Sequence, residues 1–76
     1  MPCLMRLRTI LAVNLRKLRA QKKLSQESLA ALADINRNYV GMLEREQFSA
    51  TIDIIEKLAD ALDVEPTALL TRGSSS

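Results

Sequence analysis

Histidine is absent from this 76-residue chain and cysteine occurs once, at Cys3. An intrachain disulfide is therefore impossible, and a zinc site built from this chain alone has too few ligands. The usual catalytic constellations lack parts as well: there is no His, no Cys pair and no Gly-rich phosphate loop, so an enzyme is not expected. Neither a metal nor a cofactor is called for. No apolar run approaches the ~18 residues of a membrane span. Proline stands only at positions 2 and 66, glycine only at 41 and 73, and aromatics make up 3%. Leu, Ile, Val and Ala must then fill the core. The scarcity of breakers among many Leu, Ala, Arg, Lys and Glu predicts one small all-α domain, a compact bundle of about five short helices.

What is present is a lopsided charge pattern. Residues 1–23 carry seven basic side chains and no acid, whereas the rest carries four basic and nine acidic ones, for a net charge of +2. A basic segment suits a polyanionic partner, and equally the solvated face of one helix. The Arg-rich, acid-free start also resembles a targeting segment or a membrane-surface helix, but the same residues supply a first helix that the domain needs. The lone thiol suits a reducing, cytoplasmic setting.

The apolar periodicity sets out the helices. Leu4, Leu7, Leu11, Leu15 and Leu18 form a stripe on a first helix from about Leu4 to Gln21. Ser25 is an N-cap for a second, about Gln26 to Ala33, with Leu29, Ala30 and Ala33 facing inward. Asp34 tolerates a left-handed turn, Ile35 plugs the core from within it, and Asn36 caps a third helix, about Arg37 to Arg45, whose inward pair is Val40 and Leu43. Gly41 there implies a close approach by a neighbouring helix. In "EREQFSA" Phe48 folds back onto the core. Thr51 caps a fourth helix with a stripe of Ile54 or Ile55, Leu58, Ala59 and Leu62, and Pro66 opens a short fifth. Residues 1–71 read as the domain and 72–76 as a flexible tail.

The stretch "LSQESLAALADINRNYVGML" resembles the helix-turn-helix of Cro/CI-type repressors, the xenobiotic-response-element family. "LRKLRAQKKLSQESLA" before it, "MLERE" after it and "IDIIEKLADALDVEPTALL" beyond extend the resemblance over about Val13 to Leu70. Asp34 and Glu46 depart from it, each standing where relatives usually or often have Gly. The resemblance implies a lambda-repressor-like domain that binds double-stranded DNA in a sequence-specific way as a dimeric transcriptional regulator, with helices 2 and 3 as the motif. It carries no small-molecule ligand domain and no membrane partner.

Under that resemblance Asn36, Arg37 and Asn38 face base edges: Arg can donate twice to guanine and Asn can pair with adenine. Gln26, with Ser25, Tyr39, Ser49 and Thr51, falls to the sugar-phosphate backbone. Several of these have a plainer role too. Thr51 is foremost a cap, and Tyr39 is as well placed for surface packing. Met42 suits a thymine methyl or the core equally. Arg19 and Glu44 match a pair that joins the first and third helices by a salt bridge in similar domains. For the homodimer, surplus apolar residues lie near Leu4, Leu7 and Ile10, or around Leu69 and Leu70. The rival reading is a protein-interaction module, antitoxin-like or bridging, that uses the same fold to dock a partner.

Overall fold

The computed structural model describes residues 6–71. They form five helices: α1 Leu7–Gln21, α2 Gln26–Ala33, α3 Arg37–Glu44, α4 Ile52–Leu62 and α5 Pro66–Leu70, and no strand occurs among the described residues. The expected start of α1 at Leu4 shifts, because Arg6 is extended with ψ 152° and the helix opens after it. Leu4 itself and the 72–76 tail lie outside the described residues. Arg45 is not a residue of α3 but closes it, with φ −99° and ψ 7°; helix ends blur by a residue in this way.

Leu15, Leu29, Leu43, Leu58, Leu62, Leu69 and Val40 are fully buried. Together with Leu11, Ala30, Ala33 and Ala59 they make one core, against which Ile35, Phe48, Ile54, Ile55 and Leu70 pack from its margins. α2 packs on α3 and α4, and α1 packs on α3 and α5. Small side chains at Ala30, Ala33 and Ala59 permit those approaches. The α1 stripe turns out differently from its expected line. Leu7 is 59% exposed, whereas Ile10 and Ala12 join Leu11 and Leu15 in the buried set.

With almost no glycine, the chain still ends four helices on left-handed residues: Lys23, Asp34, Glu46 and Asp63, all with φ near 60°. Each closes the same double bond pattern. After α2, Ile35 N donates to Ala30 O at 3.0 Å and Asp34 N to Ala31 O at 3.3 Å. After α3, Gln47 N reaches Met42 O at 2.8 Å and Glu46 N reaches Leu43 O at 3.2 Å. This Schellman closure satisfies terminal carbonyls and turns the next apolar residue back toward the core. Ile35 and Val64 both follow that rule. At the other ends, Ser25, Asn36 and Thr51 each accept a backbone N–H from the first turn of their helix.

Candidate nucleic-acid interface

The orientation of α3 is set by Glu44. Its side chain is only 4% exposed, yet it is ionisable, so it must be matched by donors. Arg19 of α1 supplies a two-pronged grip, Nε to Oε2 at 2.7 Å and Nη2 to Oε1 at 3.0 Å. Gln26 Nε2, at the start of α2, adds a third bond to Oε1 at 3.0 Å. Arg19 Nη1 also donates to Leu24 O, and Arg16 Nη1 donates to Glu44 O at 2.8 Å, capping the end of α3. One carboxylate thus ties three helices. The expected Arg19–Glu44 pair is present, and no buried side-chain N or O lacks a partner among the described residues. The bond to Glu44 raises the Arg19 pKa; partial burial opposes this and the Glu44 charge adds to it. A raised value in a base means its stabilisation is complete below the ordinary arginine pKa and fades only above it, so Arg19 gives no pH dependence near neutrality.

With its inner side fixed by Val40, Leu43 and Glu44, α3 presents the opposite side to solvent. Asn38 and the half-buried Met42 lie on that side, whereas Asn36 and Arg37 are exposed because they stand at the N-terminal end of the helix, Arg37 on the same face as Gly41. Asn36 Oδ1 accepts from Asn38 N at 2.7 Å, which leaves the Asn36 amide N–H groups for a ligand. Arg37 Nη1 lies 4.0 Å from Glu27 Oε1, with both side chains largely exposed, so the contact holds it weakly. Arg37 and Asn38 line a shallow depression with Gln26, Gly41, Met42 and Arg45.

The backbone candidates are placed less uniformly. Gln26 borders that depression, but its amide N–H is given to Glu44. Ser25 caps α2 through Ser28 N, and Thr51 caps α4 through Ile54 N. Ser49 Oγ accepts from Arg8 Nη2 at 2.6 Å and lines a separate cavity of about 320 Å³ with Leu7, Leu11, Phe48, Ile55 and Leu70. Tyr39 stacks on Phe48, ring centroids 4.8 Å apart and planes 12° from parallel, with its edge still exposed. The structure therefore gathers Arg37, Asn38 and Gln26 in one concave surface and sets Ser49 in another.

Sequence reasoning missed Arg16 and Arg45. The first carries no signal of its own, since its partner is a main-chain carbonyl. The second was legible as an i, i+4 neighbour of Gly41. The close approach expected at Gly41 is made in part by the neighbouring α2, through Gln26, and more tightly by Arg45. A Cβ there would come within 3.2 Å of Arg45 Nη1 and 3.6 Å of Gln26 Oε1, so side chains rather than a neighbouring helix backbone fill its space.

A model of the HTH_3 helix-turn-helix family matches residues 15–69. The control protein C.SmaI of Serratia marcescens is 40% identical over 70 residues, covering 92% of this chain and 83% of that protein. The crystal structure of the restriction-modification controller protein C.AhdI from Aeromonas hydrophila superposes with a TM-score of 0.79 at 47% identity, over 82% of this chain and 94% of that one. The hypothetical transcription factor NHTF from Neisseria superposes with a TM-score of 0.86 at 39% identity, over 93% and 82% of the two chains.

Proposed function

The chain belongs to the Cro/CI-type helix-turn-helix family of transcriptional regulators, and from that premise we propose that it binds a specific double-stranded DNA operator as a symmetric dimer, with α3 in the major groove. The observation that carries this reading is the anchoring of α3 by Glu44, which holds Arg37 and Asn38 outward on a helix whose other side is buried. A groove about 12 Å wide admits one such helix. The exposed start of α3 would meet base edges, and Gln26 at the start of α2 would meet the sugar-phosphate backbone. A dimer doubles the few base pairs one copy can read, with half-sites about one helical turn, ~34 Å, apart. The controller proteins among its relatives make the DNA flanking its own gene, and any restriction-modification genes beside it, the first place to search for the operator.

The test is a titration of the wild type, Arg37→Ala and Gln26→Ala against the footprinted site and its single-base-pair variants. Arg37→Ala should cost roughly 1–3 kcal/mol on the cognate site and relax preference at one base pair. Gln26→Ala should weaken binding by a similar factor on every sequence, with the salt slope almost unchanged because Gln is neutral. Wild-type binding that ignores both sequence and salt would instead favour docking to a protein partner. A uniform loss for Arg37→Ala would make that residue a phosphate clamp.

A further inference from the structure

We propose that Arg45 is a second base-reading residue, and that Gly41 exists to let its guanidinium lie on the reading face. This rests on the DNA-binding reading above and adds a specificity determinant to it. Arg45 follows the last residue of α3, where a side chain would ordinarily leave the groove with the departing backbone. Here it turns back toward the N-terminus, the direction helical side chains favour. Its Nη1 and Cζ come within 3.2 and 3.8 Å of the position a Cβ on residue 41 would take. Gly41 is buried under it, although it shares the helical face of the exposed Arg37. The absence of a side chain thus opens a slot one turn before Arg45, and the guanidinium occupies it next to Gln26, in the depression that Arg37, Asn38 and Met42 also line.

The charges nearby support a role toward a ligand. Glu44 is committed to Arg19 and Gln26, and Glu46 accepts from Thr9 Oγ1 at 2.6 Å. Arg45 donates only its Nε, to Gln47 Oε1 at 3.0 Å, and forms no ion pair among the described residues. Its terminal N–H groups, the pair that can address guanine O6 and N7 together, remain for the groove. At the level of Gly41 they sit about one helical turn, ~5.4 Å, beyond Arg37, which exceeds one base-pair step of ~3.4 Å. That spacing allows Arg45 to address a different base pair from Arg37.

The experiment compares Arg45→Ala, Arg45→Lys and Gly41→Ala with the wild type on the cognate site, its single-base-pair variants and random DNA, at several salt concentrations. Gly41→Ala is the informative variant. Alanine is the better helix former, so thermal unfolding should not worsen, yet the methyl displaces the guanidinium. All three variants should lose discrimination at one shared G·C pair, by roughly 10- to 100-fold for Arg45→Ala, and keep the discrimination that Arg37 provides. Random-DNA affinity should change little for Gly41→Ala. Two results overturn the proposal: unaltered discrimination in the Arg45 variants, or an equal loss on all sequences with the salt slope smaller by about one unit, which marks a phosphate contact. A wild type without any preferred site would overturn the operator reading itself, whereas retained Arg37-dependent preference with silent Arg45 variants would overturn the Arg45 role alone.

Discussion

At the scale of single residues, Glu44 has the largest consequence, because its nearly buried carboxylate accepts bonds from two other helices. Removing Glu44 leaves Arg19 and Gln26 facing a cavity without their acceptor. Removing Arg19 leaves a carboxylate shielded from water with only the Gln26 bond. The second situation is the worse one, since an unpaired buried charge costs more than the pair contributes. We expect Glu44→Ala to cost about 2–4 kcal/mol of stability and Arg19→Ala at least as much, with the double variant well short of the sum. Chemical denaturation of the four chains gives the coupling energy directly; strict additivity would mean that the pair has no energetic meaning. DNA affinity should fall together with stability in Glu44→Ala, because the same contact aims α3.

At the scale of elements, the distinctive feature is the set of helix ends. Four left-handed turns are made with lysine, aspartate or glutamate, although a residue with a Cβ pays about 1 kcal/mol or more for that conformation. The double hydrogen bonds and the returning apolar residue hold the turns in spite of this cost. Asp34 lies between the two helices of the motif with φ 59° and ψ 47°, and its side chain is exposed. Asp34→Gly should therefore raise stability by up to about 1 kcal/mol, whereas Asp34→Ala should lower it by a similar amount. Thermal melts of the two variants decide this: a destabilising glycine would show that the aspartate side chain contributes something the backbone geometry does not reveal. DNA binding should be unaffected by either change if the turn only connects the helices.

At the scale of the molecule, the proposed dimer needs an apolar seam. The residues anticipated for it are partly spent elsewhere, since Ile10 and Leu69 are buried in the core. Leu7 remains at 59% exposed, but Ile52, at the first position of α4, is 84% exposed and was not anticipated. An aspartate there would suit the helix N-terminus and leave folding intact. We expect Ile52→Asp to shift the chain toward monomer in light scattering and to weaken operator binding more than folding. An unchanged dimer would place the seam away from α4, and a monomeric wild type at DNA-binding concentrations would remove the dimer altogether.

The sequence by itself determined the number of helices, the positions of three caps and most of the core. Those features depend on local chemistry: apolar residues at helical spacing, a hydroxyl or amide oxygen before a first turn, and a proline at Pro66 that suits a helix start. The Asp34 turn was legible for the same reason. The left-handed turns at Lys23 and Asp63 were not, because neither residue type announces a conformation that the hydrogen bonds around it impose. The exposed start of α3 was legible as Asn36, Arg37 and Asn38, ahead of the inward pair Val40 and Leu43. Only the tertiary structure decided how α3 is held. Gln26 reaches Glu44 from α2, and Arg16 caps α3 from α1. Each is a contact between side chains and groups whose directions are fixed by packing, and packing is the one quantity that residue spacing along a single chain does not carry.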